Sequence, residues 1–143
     1  MTTERDGDAG CLCGAVRLRL PEEVIWAAWC HCADCRRATG APASAWVGYR
    51  RSQVEWLGDA PALYHSSQHV TRGFCARCGS TLTYHDDRLD EELYVAAGVL
   101  DNPDAVQPQA HAWDQARIPW VRLDDELPRL ADYSRERPPG SRR

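Results

Sequence analysis

Seven cysteines, gathered in three short groups, are the residues of this chain best suited to chemistry. The groups read CLCG at 11–14, CHCADC at 30–35 and CARCG at 75–79. Two thiolates separated by two residues can bind one tetrahedral zinc ion, and a following glycine lets the backbone turn tightly there. Cys75 and Cys78, before Gly79, fit this description, and Cys11 and Cys13 form a tighter version of it. These residue types and spacings predict metal binding.

The three groups are most simply divided between two metal ions. Joining the first and third groups on one ion supplies four thiolates and closes a tetrahedral site, which is the usual composition of structural zinc. The middle group, Cys30, Cys32 and Cys35, is then left with three thiolates. Three protein ligands and one open position is how catalytic zinc is usually held. The middle group is therefore a candidate open site.

Other assignments stay open, because spacing alone does not fix which cysteines share an ion. The first two groups could form one site and leave the last pair idle. The middle group could instead be a closed structural site whose fourth ligand is His31 or a distant histidine. Packing of separate buried cysteines in the core is a further alternative, although three tight groups fit it poorly. All-thiolate CxxC spacing in a small β domain favours zinc over iron.

Composition indicates an ordinary globular domain and argues against two classes of partner. A chain of 143 residues can bury one core, and its 43% hydrophobic and 27% charged residues are close to globular averages. The net charge of −4 argues against nonspecific nucleic-acid binding, which depends on clustered basic residues. The apolar runs are too short to span a bilayer, and the polar N-terminus has no secretory pattern. We therefore expect a cytoplasmic protein with no nucleic-acid or membrane partner.

Short β-strands are the elements predicted to position the cysteines. After Gly14 the pattern AVRLRL alternates, with Val16 and Leu18 on one face and Arg17 and Arg19 on the other. Further strand patterns are VIWAAW (24–29), ASAWVGY (43–49), QVEWL (53–57), HVTRGF (69–74), STLTYH (80–85) and ELYVAA (92–97). Many short strands separated by glycine and proline predict an antiparallel all-β domain.

Little helix is predicted, and the chain ends are expected to lie outside the domain. One short helical turn is predicted around residues 34–39, where Asp34 is suited to cap the turn, and another near residues 103–106. We expect a flexible lead-in over residues 1–10, a zinc-binding β domain over residues 11–133 and a disordered tail over residues 134–143.

With its cysteine groups in this order and spacing, the chain resembles the glutathione-dependent formaldehyde-activating enzyme family, which also includes centromere protein V. The resemblance covers most of the chain: CLCGAV (11–16), CHCADCRRATGAP (30–42), SSQHVTRGFCARCGSTLTY (66–84), AAGVLDNPD (96–104) and HAWDQARIPWV (111–121). It implies a β-tent of stacked antiparallel sheets stabilised by zinc. It also implies two zinc ions, the structural one bound by Cys11, Cys13, Cys75 and Cys78 and the catalytic one bound by Cys30, Cys32 and Cys35.

The resemblance also implies an activity. The founding enzyme joins glutathione with formaldehyde to give S-hydroxymethylglutathione, which is carbon–sulfur lyase chemistry run in reverse. We therefore expect a zinc-dependent carbon–sulfur lyase or synthase that acts on a thiol–aldehyde adduct, with a small-molecule thiol such as glutathione as its partner. The founding enzyme is longer, so we expect segments that frame its glutathione site to lack a counterpart here. A noncatalytic zinc-stabilised β-module that binds a protein is the alternative.

Zinc held by three thiolates carries a net charge of about −1, so it favours a sulfur ligand over the activation of water. We expect the substrate thiol to bind as a thiolate and attack a small aldehyde. The cations that could bind the substrate's carboxylates, or simply balance the charge of the cysteines, are Arg36, Arg37 and Arg72. The imidazoles that could transfer a proton to the developing alkoxide are His31, His65, His69 and His111.

Overall fold

The structure, a computed structural model, describes residues 7–135. Within that range the chain forms ten strands and one α-helix, with short 3-10 turns between them. The strands are β1 (Ala9–Gly10), β2 (Val16–Arg19), β3 (Trp26–Cys30), β4 (Ser44–Arg50), β5 (Glu55–Gly58), β6 (Ala62–His65), β7 (Val70–Phe74), β8 (Thr81–Asp86), β9 (Glu92–Ala96) and β10 (His111–Ala112). The helix, α1, is Ala33–Thr39. The all-β prediction with little helix is confirmed.

The strands form two sheets. The small sheet has the order β1-β2-β5, and the large sheet has the order β10-β3-β4-β9-β8-β7-β6. Every neighbouring pair is antiparallel except β10 and β3, which are parallel. All seven strands expected from the sequence pattern are present, as β2, β3, β4, β5, β7, β8 and β9.

Both sheets contribute side chains to the main core. Val16 and Leu18 of β2 are at most 1% exposed and belong to one buried cluster with Val47 of β4, Leu82 of β8 and Val95 of β9. Burying a branched aliphatic side chain contributes roughly 1.5–3 kcal/mol. The alternating pattern of β2 therefore holds the small sheet against the large one.

The polar face of β2 is less exposed than its sequence suggests. The side chain of Arg17 is 8% exposed, and its Nη1 donates a hydrogen bond of 3.1 Å to Asp101 Oδ1. The cause is β1, in which Gly10 pairs with Arg17. A Cβ on Gly10 would lie 2.5 Å from Arg17 Nη1, so the glycine leaves room for this side chain to cross the strand.

The chain ends differ from the expected division into segments. Residues 7–10 of the expected flexible lead-in are part of the fold, because Ala9 pairs with Leu18 and is fully buried. Residues 1–6 lie outside the described residues. At the other end, Trp26 Nε1 donates a hydrogen bond of 3.1 Å to Ser134 Oγ, and Arg135 pairs with Glu92. These two residues of the expected tail contact the large sheet, and residues 136–143 lie outside the described range.

Helix α1 confirms the turn expected around residues 34–39, but its cap is a different residue. Cys32 is the N-cap, and its Sγ accepts a hydrogen bond from the backbone N–H of Cys35. Asp34 lies instead within the first turn. The helix ends at Gly40, whose φ of 73° is in the left-handed region that glycine adopts easily. Cys32 thus caps the helix that contains Cys35, the next cysteine of the middle group.

Candidate functional site

The first and third cysteine groups meet in one place, as the sequence predicted. We call Cys11, Cys13, Cys75 and Cys78 the four-cysteine cluster, and their sulfur atoms all lie within 4.8 Å of one another. The Sγ–Sγ distance is 3.6 Å from Cys11 to Cys13 and 3.8 Å from Cys13 to Cys75. Sulfur ligands on a tetrahedral zinc, each at about 2.3 Å from the metal, are separated by about 3.8 Å. The four-cysteine cluster therefore fits one ion of this kind.

Two tight turns hold the four-cysteine cluster. Gly14 N–H donates to the carbonyl of Cys11 at 3.1 Å, and Gly79 N–H donates to the carbonyl of Cys75 at 2.8 Å. Both glycines have a positive φ, 83° at Gly14 and 79° at Gly79, which a residue with a side chain adopts only with strain. The backbone N–H of Val16 also donates to Cys11 Sγ at 3.3 Å. The turns that follow each pair therefore aim the sulfur atoms at a common point.

The sulfur atoms of the four-cysteine cluster are not equivalent as acids. The Ser80 hydroxyl, 3.2 Å from Cys78 Sγ, is the main cause that lowers the pKa of Cys78 to about 5. At Cys13 the backbone N–H of Ala15 acts to lower the pKa, but partial desolvation and the neighbouring thiols outweigh it and raise the pKa to about 11. Four thiols this close cannot all ionise without a cation to offset the repulsion. The cluster is thus electrostatically suited to a metal ion.

The middle group also comes together, and we call Cys30, Cys32 and Cys35 the three-cysteine cluster. Its sulfur atoms lie within 4.8 Å of one another, with 3.3 Å between Cys30 Sγ and Cys32 Sγ. Cys30 ends β3, Cys32 caps α1, and Cys35 lies in the first turn of that helix. Strand and helix therefore place three sulfur atoms around one point without a fourth ligand among the described residues.

The thiols of the three-cysteine cluster also need a nearby cation before all of them can lose their protons. Hydrogen bonds with Cys32 and Cys35 are the largest cause that raises the pKa of Cys30. The hydrogen bond with Cys30 acts to lower the pKa of Cys35, but Cys32 and burial outweigh it, so the pKa of Cys35 is also raised. Arg72 offers partial compensation, because its Nη2 lies 3.7 Å from Cys35 Sγ. A metal ion would offset the rest.

A pocket lies over the three-cysteine cluster, with a cavity volume of about 80 Å³. All three cysteines line it, together with four tryptophans and three tyrosines: Trp26, Trp29, Trp46, Trp113, Tyr84, Tyr94 and Tyr133. The four-cysteine cluster contributes no lining residue. The two clusters thus differ in their surroundings as well as in ligand number, since the three-cysteine cluster lines this pocket and the four-cysteine cluster does not.

Among the three candidate anion-binding arginines, the structure brings Arg72 to the pocket. Its side chain lies 5.2 Å from the centre of the Tyr84 ring and 6.0 Å from that of Trp46. Arg36 and Arg37 are on α1 and do not line the pocket. The sequence indicated all three arginines because they stand near cysteines. Arg72 reaches the pocket because of its position in the register of β7, which the sequence alone does not show.

The candidate histidines divide into two kinds. His65 and His69 make contacts at the exposed surface, His65 with the carbonyl of Gln68 and His69 with Asp87. His31 and His111 are fully buried and hydrogen-bonded to each other. None of the described histidines lines the pocket. The imidazoles proposed as proton donors therefore lie away from the space where substrate would bind.

The buried histidines form a third group of possible metal ligands with Asp114, since their ligand atoms lie within 4.8 Å of one another. Two arginines already surround this carboxylate, with Arg129 Nη1 at 3.1 Å and Arg117 Nε at 3.7 Å from Asp114 Oδ1. His111 is also engaged through Nε2, which lies 2.9 Å from Asp125 Oδ2. Positive charge and existing hydrogen bonds make this third group unsuited to a cation.

Sequence patterns did not single out several residues that shape the pocket. Tyr84 and Tyr94 come from β8 and β9, Tyr133 from the chain beyond β10, and Glu92 pairs with Arg135 near the rim. In the sequence the tyrosines look like ordinary strand or terminal residues. Alternation within β8 and β9 was the available signal, but only the strand order shows that Tyr84 and Tyr94 pair across these strands and lie on the same face of the sheet.

The fold and its two cysteine clusters define a zinc-compatible all-β protein with one cluster away from the pocket and one that lines it. The sequence profile of the glutathione-dependent formaldehyde-activating enzymes matches residues 6–116. The chain belongs to this family.

Individual relatives agree with this assignment. A protein of Halomonas elongata, provisionally named a glutathione-dependent formaldehyde-activating enzyme, is 27% identical over 135 residues, which is 82% of this chain and 80% of that protein. An uncharacterized lyase of Schizosaccharomyces pombe is 31% identical over 77 residues, or 54% of this chain and 56% of that protein. Both relatives carry the name of an enzyme or a lyase, and both share only about 30% of their aligned residues with this chain.

The fold also matches a solved structure. A crystal structure of a Rhodobacter sphaeroides protein superposes with a TM-score of 0.58 and covers 86% of this chain and 99% of its own, at 23% sequence identity. This similarity concerns the fold. In the described part of the chain, no helix is both long and apolar enough to cross a membrane.

Proposed function

We propose that this protein is a zinc-dependent carbon–sulfur lyase or synthase that acts on a thiol–aldehyde adduct, in the manner of S-(hydroxymethyl)glutathione synthase. The observation that carries the proposal is the difference between the two clusters. Four cysteines come together away from the pocket, whereas three cysteines line it and have no fourth ligand among the described residues. Three ligands with an accessible fourth position are typical of a site that binds a substrate.

In this proposal the four-cysteine cluster holds a structural zinc ion and the three-cysteine cluster a catalytic one. The spacings support it, because the Sγ–Sγ distances of 3.6 and 3.8 Å in the four-cysteine cluster are close to those of tetrahedral thiolate coordination. Zinc at the three-cysteine cluster would stabilise the substrate thiol as a thiolate at neutral pH. The catalytic residues proposed are Cys30, Cys32 and Cys35, all as ligands.

The chain's own residues orient the substrate and exclude water. Trp46 and Tyr84 form adjoining walls, with ring centres 6.0 Å apart, and Arg72 lies across both rings. An apolar wall strengthens the attraction between Arg72 and a thiolate, since water screens it less there. The aldehyde is held beside the sulfur by the same walls, which gives the two reactants a short approach.

The reaction balances without an oxidant or reductant. The thiolate sulfur forms a bond to the carbonyl carbon while the carbonyl π electrons move to oxygen, which takes up the proton that the thiol released. The reverse direction breaks the same carbon–sulfur bond and returns aldehyde and thiol. No described histidine lines the pocket, so in this proposal solvent at the pocket mouth supplies the proton to the alkoxide, while the aromatic walls keep water from the sulfur. Glutathione and formaldehyde, named for the family, are the first substrates to test.

The alternative of a noncatalytic protein-binding module makes a different prediction about the metal. It requires saturated coordination at both clusters, so that neither ion responds to added thiol. We would measure zinc per chain by elemental analysis, before and after dialysis of the protein against glutathione. Two zinc ions, of which one is lost to the thiol, support the enzyme. Two ions that both resist the thiol would favour the binding module.

A further inference from the structure

Part of the pocket wall comes from the end of the described chain, and it is held differently from the rest. We call residues 132–135 the C-terminal strap, of which Tyr133, Ser134 and Arg135 line the pocket. None of the four residues belongs to a helix or a strand. Other parts of the wall, such as Trp46 of β4 and Tyr94 of β9, lie on interior strands of the large sheet. The strap can therefore move without breaking any strand pairing.

Side-chain hydrogen bonds fasten the strap to the large sheet. Trp26 Nε1, on β3, donates to Ser134 Oγ at 3.1 Å. Arg135 donates to Glu92, on β9, from Nε at 3.1 Å and from Nη2 at 2.9 Å. The side chain of Arg135 is 38% exposed, so water can take over its hydrogen bonds when the strap moves away. These fastenings can thus be released at modest cost.

Trp113 connects the strap to a strained piece of backbone. With φ of 55° and ψ of 41° it is the one residue other than glycine with a positive φ among residues 7–135. Its N–H donates to the carbonyl of Asp132 at 2.9 Å, and its ring packs edge-on against Tyr133, with ring centres 5.1 Å apart. Arg88 Nη2 also donates to the Tyr133 hydroxyl at 3.3 Å. The strap therefore helps to hold a backbone conformation that would relax on its release.

The pocket in this structure is small for the thiol that the proposed function requires. Its cavity volume of about 80 Å³ is well below the roughly 300–1,000 Å³ of sites that enclose a drug-sized ligand. The reacting ends of a thiol and a small aldehyde fit such a space. A tripeptide such as glutathione fits only if it extends through the mouth or if a wall moves, and the strap is a wall that can move.

We propose that the C-terminal strap is a gate, an inference that rests on the proposed function. The strap opens to admit a thiol of the size of glutathione and closes again over the bound thiol. In the open state residues 132–135 leave Trp26 and Glu92, and the ring contact between Trp113 and Tyr133 is lost. In the closed state these two rings cover the three-cysteine cluster and keep water from the reacting sulfur.

The test compares the unaltered zinc-loaded protein with the double variant Ser134→Ala/Arg135→Gln, which removes both fastenings and alters no cysteine. Stopped-flow tryptophan fluorescence measures the association and dissociation rates of glutathione and of the much smaller 2-mercaptoethanol. We expect both rates of glutathione to rise at least about fivefold, the order expected for the loss of these hydrogen bonds, with Kd nearly unchanged. The rates of 2-mercaptoethanol, which fits the closed pocket, should change less than about twofold.

A matched control and a readout without thiol complete the experiment. Arg51→Gln breaks an exposed ion pair with Asp90, and because neither residue lines the pocket it should leave all these rates unaltered. Hydrogen exchange follows the N–H of Trp113, which is bonded to the strap at Asp132. This N–H should exchange faster in the double variant than in the unaltered protein, while the amides of β4 exchange at the same rate in both.

Each outcome distinguishes the gate from its alternatives. If the strap is a static wall that only contacts the bound thiol, the double variant raises the dissociation rate alone and weakens Kd, which overturns the gate. Unaltered glutathione rates, or equal exchange at Trp113 in both proteins, overturn the gate and leave the proposed function standing. If neither thiol binds to the unaltered protein, the proposed function fails and a gate for thiols fails with it.

Discussion

His31 Nε2 and His111 Nδ1 are 2.9 Å apart, and both side chains are completely buried. His111 Nε2 in turn lies 2.9 Å from Asp125 Oδ2, so it donates to that carboxylate. In its neutral form His111 then accepts at Nδ1, and the Nε2–H of His31 is the donor of the bond between the two rings. His31 stands between two cysteines of the three-cysteine cluster, so this chain of hydrogen bonds anchors the loop that carries them.

Acid should destabilise the protein through this buried pair. Burial is the main cause that lowers the pKa of His31 from 6.5, with repulsion by His111 as the next. Since the unfolded chain binds the proton more readily, the free energy of unfolding falls as pH decreases from about 6.5 toward the lower pKa of the folded protein. Thermal unfolding between pH 7.5 and 5 should show this loss, and His31→Gln should make the pH dependence shallower although the variant is less stable at pH 7.5.

If the clusters hold zinc as we propose, its loss in acid would contribute to the same pH dependence, so a matched variant is required. His65→Gln alters an exposed histidine outside the buried pair and should keep the slope of the unaltered protein. Zinc content measured at each pH separates metal release from histidine protonation. If His31→Gln and His65→Gln give the same slope, His31 does not contribute to the acid sensitivity.

Asp101 should matter to stability more than a typical surface carboxylate. It pairs with Arg17, whose side chain is 8% exposed, so removing the carboxylate leaves a largely buried guanidinium with fewer acceptors. We expect Asp101→Asn to lower the free energy of unfolding by about 1–2 kcal/mol, because Asp101 itself is half exposed and water compensates in part. Glu55→Gln, which breaks the exposed pair with Arg19, should cost less than about 0.5 kcal/mol.

Urea unfolding of the two variants provides the measurement. The slope of the unfolding free energy against urea should be the same in both variants and in the unaltered protein, so that a shift of the midpoint reports stability alone. Equal midpoints for Asp101→Asn and Glu55→Gln would show that burial of Arg17 adds nothing to its ion pair.

The strand pattern was sufficient to predict most of the fold. Seven apolar or alternating stretches became strands, and six of them bury side chains against another element, whereas β5 has no fully buried residue. Three strands escaped prediction for identifiable reasons. β1 and β10 have two residues each, too few for any period, and β6 is a strand at the sheet edge whose Leu63 and Tyr64 remain exposed.

The candidate site was predictable in its ligands and less so in its surroundings. Tight spacing identified the three cysteine groups, because neighbouring thiols on one turn can reach a common point, but it left open which groups share an ion. The pocket combines residues far apart in the sequence, such as Trp26 of β3, Tyr84 of β8 and Tyr133 near the end of the described chain. Which of the arginines near cysteines enters the pocket depends on strand register, and a local pattern does not contain that information.

Gly48 should be essential to the shape of the pocket. A Cβ on this residue of β4 would lie 2.7 Å from two atoms of the Tyr94 ring, which is 9% exposed and lines the pocket. Tyr94 would have to move, and overpacking of this kind costs about 1–3 kcal/mol. We expect Gly48→Ala to lower both the melting temperature and the affinity for thiols. Gly98→Ala, where an added Cβ meets nothing within 4 Å, should change neither. If Gly48→Ala binds thiols as tightly as the unaltered protein, Tyr94 does not shape the thiol-binding pocket.

The two cysteine clusters should respond differently to the loss of one ligand. Cys75 is 1% exposed and belongs to the main buried core, so Cys75→Ser should release its metal ion and lower the free energy of unfolding by at least about 3 kcal/mol. Cys35 is also buried, at 4% exposed, but it belongs to a second and smaller cluster, with Cys32, Trp46 and Tyr94, that lines the pocket. Cys35→Ser should therefore lose one zinc ion and all thiol binding while the melting temperature falls only slightly.

Elemental analysis, thermal unfolding and thiol titration of both variants together check this expectation. Cys13→Ser is the matched control within the four-cysteine cluster, since Cys13 is exposed and its removal creates no core cavity. If Cys13→Ser destabilises as strongly as Cys75→Ser, the loss comes from the metal ion and not from packing. If Cys35→Ser unfolds as readily as either, the three-cysteine cluster is a structural site, because a ligand needed only for catalysis contributes little to the free energy of folding.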